Sequence, residues 1–219
     1  MRLVKRAWKA AFYMLGALVL AVLMVQGWFF AHVWWWSNHN PSSTSFMRAH
    51  LATLQQKNPK AVIRQQWVGY DRVSANLRRA VVAAEDGKFV DHEGFDWEGI
   101  QKALEKNEKR GKVVAGGSTI SQQLAKNLFL SGSRSWIRKG QEAVITRMLE
   151  SAMSKRRILE LYLNLAEWGE GVFGADAAAS HYFGVSAAQL SAPQAAWLAP
   201  IPRPPRTFAP CRAPPGASR

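Results

Sequence analysis

The sequence predicts a mainly α-helical domain that is carried on one N-terminal transmembrane helix. The first observation is an apolar run at residues 10–36 that contains no Asp, Glu, Lys or Arg. The second is that apolar residues recur at three- and four-residue spacing through most of the remaining chain, which is typical of amphipathic helices. The third is the length of 219 residues, which is enough for one domain with a substantial core and an anchor.

The run at 10–36 is longer than the ~20 residues that a helix needs to cross the hydrocarbon core of a bilayer. It also exceeds the ~7–15-residue apolar core of a cleaved signal peptide, so we interpret it as an uncleaved signal anchor. A buried core helix is the alternative, but the run has no one-sided periodicity and its aromatic residues crowd one end. Four cationic residues at 1–9 predict a cytoplasmic tail, and they place the rest of the chain across the membrane.

The net charge of +14, from 29 Lys and Arg against 15 Asp and Glu, indicates an anionic partner. A domain outside the cytoplasm rarely meets nucleic acid, so we expect no nucleic-acid partner. Anionic lipid and lipid-linked phosphate are the better candidates. A basic surface that only maintains solubility is the alternative. The single Cys211 cannot form an internal disulfide, so the core must hold the fold.

The outer part of the chain divides into a linker with an entry helix at 37–61, a compact domain at 62–205 and a Pro-rich tail at 206–219. Only the stretch 60–70 offers a short strand. Seven segments have helical spacing of their apolar residues: 46–56, 73–86, 96–110, 118–130, 135–168, 174–184 and 186–200.

Acidic residues concentrate at 83–99 in a chain that is otherwise poor in them. Glu85 follows the apolar run "AVVAA", so its carboxylate starts from a partly buried helix end, where a carboxyl can serve as general base. His92 could bind a metal with Asp91 or Asp96, but a His that caps a turn is the better interpretation because no second His or Cys lies at ligand spacing. A solvated acidic turn is the plain alternative.

The segment "GGSTISQQLAKN" at 116–127 places hydroxyl groups at the start of a helix. Ser118, Thr119 and the first amides of that helix are placed to meet phosphate or sugar oxygens. Gln122 and Lys126 share one face at i, i+4, and Gln123 lies on the adjacent face. The alternative is that Ser118 or Thr119 only caps the helix.

A cationic cluster follows at 134–142. Arg138 and Glu142 are spaced i, i+4 and therefore share one helical face, and Arg134 and Lys139 lie close by in the sequence. Taken alone, this pattern is equally consistent with an exposed salt bridge.

The order of these motifs resembles, block by block, the five motifs of the peptidoglycan glycosyltransferases, family 51 of the glycosyltransferases. Because the chain is too short for a second catalytic domain, it is most similar to the monofunctional biosynthetic transglycosylases. The resemblance covers roughly residues 62–205. The five blocks are "EDGKFVDHEGFD", "GGSTISQQLAKN", "RKGQE", "KRRILELYLN" and "GEGVFGADAAASHYFG".

This resemblance implies an enzyme that polymerises lipid II into β-1,4-linked glycan strands and releases undecaprenyl pyrophosphate. Glu85 matches the catalytic base of the family, and Glu142 matches a second glutamate that assists departure of the phosphate directly or through a divalent cation, Mg²⁺ or Mn²⁺. No organic cofactor is implied. The residues that the resemblance assigns to substrate or pyrophosphate are Lys126, Arg134, Arg138, Lys139, Ser118, Thr119, Gln122, Gln123 and Asn127.

The resemblance also implies a lysozyme-like fold with a small membrane-proximal jaw lobe, for which the segments 97–112 and 127–132 are candidates. It places the catalytic domain in the periplasm, anchored in the cell inner membrane, with lipid II, the growing glycan strand, the bilayer and cell-wall synthesis or division proteins as partners. Two rival functions remain: a membrane-bound lytic transglycosylase or lysozyme-like hydrolase, and a non-enzymatic scaffold of the cell-wall machinery.

Overall fold

The computed structural model describes residues 2–112, 116–130, 132 and 135–200. The chain divides into two compact units, residues 1–39 and 40–219. The first unit is one long helix, α1 (Arg2–Trp36). Within it, the 29 residues Trp8–Trp36 are long and apolar enough to cross a membrane, so α1 is a candidate membrane anchor, as the sequence predicted.

The second unit is mainly helical and lysozyme-like, which confirms the predicted fold class. Two short 3-10 turns, Tyr70–Arg72 and Ala187–Gln189, join its elements. Its helices are α2 (Ser45–Lys57), α3 (Ala75–Glu85), α4 (Trp97–Arg110), α5 (Ile120–Phe129), α6 (Trp136–Ala152), α7 (Lys155–Leu165), α8 (Ala175–Phe183) and α9 (Ala192–Leu198).

Most of these helices begin at a hydroxyl or carboxylate side chain that accepts a hydrogen bond from the backbone N–H two or three positions into the helix. Such caps satisfy amides that have no partner inside the helix. The capping residues are Thr44, Ser74, Asp96, Thr119, Ser135 and Ser154.

Helix α7 lies at the centre of the core. It packs against α5, α6 and α8, and seven of its eleven residues are buried. Asn164 in its last turn is fully buried. The Asn164 side chain accepts from the Val68 backbone N–H at 2.8 Å and donates to the Val68 carbonyl at 2.9 Å. This pair of bonds ties the segment before α3 to α7.

Three short strands form a small sheet in the order β1-β3-β2. Strand β1 (Arg64–Gln65) pairs in parallel with β3 (Val172–Phe173), with Arg64 opposite Val172. Strand β2 (Glu167–Gly169) pairs antiparallel with β3 across an irregular register. The sequence predicted only the first of these strands. The predicted helical run 135–168 extended into β2, although α7 ends at Leu165, and β3 is too short to show alternation.

The predicted helical run at 135–168 is two helices rather than one. Helix α6 ends at Ala152, and Met153 has an extended backbone with φ −131° and ψ 146°. Ser154 then caps α7 by accepting from the Arg157 backbone N–H. The break therefore interrupts the helix but not the apolar periodicity, which continues from α6 into α7. The tail at 206–219 lies outside the described residues.

Candidate active site

Glu85 is the last residue of α3 and is half-buried. Its side chain borders a cavity of about 140 Å³. The same cavity is also lined by the segment before α5, at Gly116, Gly117 and Ser118. Gly117 suits this position because a Cβ there would come within 3.1 Å of the Ile100 Cα atom. Gly117 therefore lets the backbone pass close to α4 while it lines the cavity.

The carboxylate of Glu85 is held by α5. Gln123 Nε2 donates to Glu85 Oε2 at 2.9 Å. At its other end, the Gln123 amide accepts from the Tyr162 hydroxyl at 2.9 Å. The hydrogen bonds therefore run from the core helix α7 through α5 to the half-buried carboxylate at the end of α3.

Asp86, next to Glu85, is buried and organises the turn that follows α3. Asp86 Oδ2 accepts from the Ile120 backbone N–H at 3.0 Å, and Asp86 Oδ1 lies 2.9 Å from His92 Nε2. His92 Nδ1 accepts a hydrogen bond from the Gly94 backbone N–H at 3.0 Å. The ring hydrogen is therefore on Nε2, which donates a hydrogen bond to Asp86. His92 is thus a structural residue of the turn, in agreement with the preferred sequence interpretation.

We expect Asp86→Asn to destabilise the fold by about 2 kcal/mol, because hydrogen bonds to a buried carboxylate are stronger than those to a neutral amide. Asn can still accept from Ile120, but its NH₂ group cannot accept from His92. Urea unfolding monitored by circular dichroism measures the effect. Exposed Asp91 is the matched control, and equal stability of Asp86→Asn and Asp91→Asn would contradict this role.

The start of α5 is fixed by a capping box. Thr119 Oγ1 accepts from the Gln122 backbone N–H, while Gln122 Oε1 accepts from the Thr119 backbone N–H at 3.0 Å. Thr119 Oγ1 also donates to the Gly94 carbonyl at 2.7 Å. Gly94 has φ +94°, and a Cβ there would lie 2.7 Å from Thr146 Cγ2, so this position requires glycine. Thr119 and Gln122 are therefore buried scaffold groups of the site.

The cationic cluster surrounds Glu142, which is only 3% exposed. Arg138 Nη1 donates to Glu142 Oε2 at 2.7 Å, and Lys139 Nζ donates to Glu142 Oε1. Lys139 Nζ also lies 3.5 Å from Ser118 Oγ. Ser118 and Glu85 border the same cavity, so this contact joins the cluster to the lining of that cavity.

Lys126 on α5 lies in the electric field of both carboxylates. Burial lowers the pKa of Lys126, and the nearby positive charges of Arg138 and Lys139 lower it further, while Glu142 and Glu85 oppose this shift. The ammonium group is therefore partly removed from water, and the charges of both Glu85 and Glu142 act on it. A cation in this state stabilises an additional negative charge more strongly than one in water.

The structure thus brings together most of the residues that the sequence nominated. Glu85 and Gln123 are hydrogen-bonded, Ser118 borders the same cavity, and Arg138, Lys139 and Glu142 form one ion-pair cluster beside Lys126. Asn127 is buried on α5. Arg134 lies outside the described residues.

The donor set around Glu142 does not suit a divalent cation. Both carboxylate oxygens already accept from cationic side chains, and a metal ion would have to displace Arg138 or Lys139 while it met their positive charge. Among the described residues, no group of three or more His, Cys, Asp and Glu could hold a metal ion. We therefore assign no step to a metal ion.

Comparison with known proteins identifies the family. The sequence profile described as Transglycosylase matches residues 50–219. The chain belongs to the transglycosylase family. It is 62% identical over 198 residues to a biosynthetic peptidoglycan transglycosylase of Janthinobacterium sp. (strain Marseille), an alignment that covers 89% of this chain and 86% of the relative. It is 66% identical over 192 residues to a protein of the same name from Methylobacillus flagellatus, with 87% and 83% covered.

The transglycosylase match begins inside α2, so part of the predicted entry helix belongs to the family domain. Sequence reasoning missed Asp86 and Tyr162 as site residues. Asp86 is one of several acids in the stretch 83–99, and Tyr162 lies among the apolar residues of the run "ILELYLN". The sequence signal that could have found them is a polar side chain beside or among apolar residues. A polar group that is buried there needs a hydrogen-bond partner.

Proposed function

We propose that this chain is a peptidoglycan glycosyltransferase that polymerises lipid II into β-1,4-linked glycan strands and releases undecaprenyl pyrophosphate. The proposal rests on the names of the relatives and on one observation, the presence of a held carboxylate and a cluster of cations in the same part of the fold. Such a pair of features is suited to a reaction in which a hydroxyl loses a proton while a phosphate leaving group gains charge.

Glu85 is the proposed base. Within the described residues its Oε2 atom accepts from Gln123 and its Oε1 atom has no hydrogen-bond donor, so Oε1 is free to accept a proton from the attacking 4-hydroxyl of a sugar. The hydroxyl oxygen attacks the anomeric carbon as the bond to the pyrophosphate oxygen breaks. A single displacement converts the α-linked donor into a β-linked product.

Lys126, Arg138 and Lys139 are the proposed cations for the departing pyrophosphate. Glu142 holds Arg138 and Lys139 in place, and it neutralises part of their mutual repulsion. Arg138 Nε is buried and has no hydrogen-bond partner in the part of the chain that the structure describes. The guanidinium thus retains unused donor capacity, which favours an anionic ligand.

A lytic transglycosylase or lysozyme-like hydrolase is the second candidate, since it would share the fold and a catalytic glutamate. The cationic cluster favours the polymerase, because a neutral glycan substrate has no leaving phosphate. We infer the same substrate from the anchor and from large exposed apolar side chains on α4 and at the start of α6, which suit a lipid-linked donor. They are Trp97 at 73% exposure, Leu104 at 63%, Trp136 at 92% and Ile137 at 88%.

We propose a periplasmic position for the second unit, with α1 in the cell inner membrane and the N-terminus in the cytoplasm. The basic tail at 1–9 and the positive-inside rule support this orientation. Fusion of alkaline phosphatase after residue 200 tests it, since that reporter is active only in the periplasm.

Purified protein incubated with radiolabelled lipid II in detergent tests the proposed function. The polymerase converts lipid II into long glycan that a gel resolves, whereas a hydrolase leaves lipid II intact and cleaves preformed glycan. The absence of polymer from folded protein would contradict the proposal.

Deletion of residues 1–36 should leave an active enzyme that is less efficient in membranes. The anchor confines the enzyme to the plane of its substrate and so raises the effective concentration, but the proposed chemistry uses only residues of the second unit. We therefore expect a larger loss of rate in liposomes than in detergent. Equal rates in liposomes for the full and truncated chains would show that the anchor contributes nothing to substrate capture.

A further inference from the structure

We propose that Tyr162 is a positioning residue of the active site, which acts through Gln123 to fix the orientation of the Glu85 carboxylate. This inference rests on the proposed function of Glu85 as base. It goes further in assigning a role in the reaction to a core residue that lies behind the site.

The hydrogen-bond chain has one direction. Tyr162 is fully buried, and burial raises the pKa of its phenol well above the usual value, with the negative charges of Glu85 and Asp86 adding to the effect. The phenol therefore keeps its proton through the neutral range and donates it to Gln123 Oε1 at 2.9 Å.

The Glu85 carboxylate, which only accepts, and the Tyr162 hydroxyl together fix which way the Gln123 amide faces. A glutamine side chain has an accepting end and a donating end. Because the Tyr162 hydroxyl occupies the accepting end, the NH₂ end lies 2.9 Å from Glu85 Oε2. The flipped amide would put two acceptor oxygens, those of Gln123 and the ionised carboxylate, against each other.

The supports of this chain are rigid. Gln123 sits on α5, whose neighbours Gln122 and Leu124 are buried, and Tyr162 sits on the buried face of α7. The two helices pack directly against each other. One carboxylate oxygen is thus held while the other remains available to the sugar hydroxyl, which is the geometry that a general base requires.

Tyr162→Phe removes the hydroxyl and keeps the ring. We expect kcat/KM for lipid II polymerisation to fall about tenfold, because the Gln123 amide loses one of its two anchors and holds the carboxylate less firmly in one orientation. The acidic limb of the pH–rate profile should move to higher pH, since weaker donation from Gln123 to the carboxylate favours its protonated form. Tyr182→Phe is the matched control, because Tyr182 donates only to the Trp168 carbonyl at 3.0 Å.

A double-mutant cycle separates positioning from packing. In a Gln123→Ala background, Tyr162→Phe should cost almost nothing further in kcat/KM, because the intermediary is already gone. An equal loss in both backgrounds, or wild-type kcat/KM and pH profile for Tyr162→Phe, would overturn the proposal. A thermal melt of each variant shows whether the protein is folded.

A second readout does not depend on turnover. The side-chain NH₂ signals of Gln123, assigned by their loss in Gln123→Ala, should shift in Tyr162→Phe and stay in place in Tyr182→Phe. Unchanged signals in Tyr162→Phe would overturn the positioning role even if the wild-type protein polymerises lipid II. A wild-type protein that shows the expected shifts but makes no glycan would contradict the proposed function and leave the hydrogen-bond chain supported.

Discussion

Replacement of Glu85 with Gln should lower kcat for glycan polymerisation by about 10²–10⁴-fold, the usual contribution of a general base. The amide has nearly the volume of the carboxylate but cannot take up the proton of the attacking hydroxyl. Its carbonyl oxygen can still accept from Gln123 Nε2, so the hydrogen-bond chain behind the site survives. The expected defect is therefore chemical rather than structural.

Initial rates on labelled lipid II and a thermal melt measure the two consequences of Glu85→Gln separately. Glu105→Gln is the matched control, because Glu105 is exposed on α4. We expect unchanged melting for both variants and loss of turnover for Glu85→Gln alone. Wild-type turnover by folded Glu85→Gln protein would remove Glu85 from the role of base.

Lys126→Met should lower kcat by about 10²–10³-fold, as removal of one preorganised charge at a developing anion does in other enzymes. Methionine keeps the unbranched shape of the lysine stem and removes the ammonium group. Arg138 and Lys139 remain paired with Glu142, so the rest of the cluster should hold its geometry. The lost charge is that of Lys126, whose pKa is lowered mainly by burial.

The same substitution should not destabilise the protein. Because burial lowers the pKa of Lys126 in the folded state, protonated Lys126 opposes folding at neutral pH. This penalty declines only as the pH rises through the folded value towards the unfolded one. Lys126→Met removes the penalty, so we expect an equal or higher melting temperature at pH 7. A stabilised but inactive variant would indicate that this charge is retained for function.

Lys60→Met is the control for Lys126→Met, since Lys60 is an exposed lysine in the turn after α2. It should change neither the rate nor the melting temperature. A Lys126→Met protein that melts several degrees lower and turns over normally would make Lys126 a structural residue.

Local patterns in the sequence predicted most of the helices and nominated the charged residues of the site. The predicted segment 186–200 was wrong in its first half, which is a 3-10 turn at Ala187–Gln189, and only Ala192–Leu198 is α-helix. Helices α3, α4 and α5 begin and end within two residues of the predicted segments, because each starts at a side-chain cap and carries apolar residues at helical spacing. The break between α6 and α7 was missed, since Ser154 can cap a helix or lie within one.

The connections between the motifs could not be predicted from spacing. The bonds Gln123–Glu85 and Tyr162–Gln123 join residues that are 38 and 39 positions apart. Local periodicity carries no information on which of two adjacent glutamines reaches a carboxylate on another helix. The structure gives the two glutamines different roles. Gln122 belongs to the capping box of α5, and Gln123 donates to the Glu85 carboxylate.

The central claim is that the cationic cluster serves a leaving pyrophosphate while Glu85 activates the acceptor hydroxyl. The most direct test measures two products in one reaction of purified full-length protein with doubly labelled lipid II, in which disaccharide and lipid carry different isotopes. We expect one undecaprenyl pyrophosphate to be released for each disaccharide added to a polymer that a β-1,4-specific muramidase digests. Release of lipid pyrophosphate without polymer, or cleavage of preformed glycan with lipid II left intact, would contradict it.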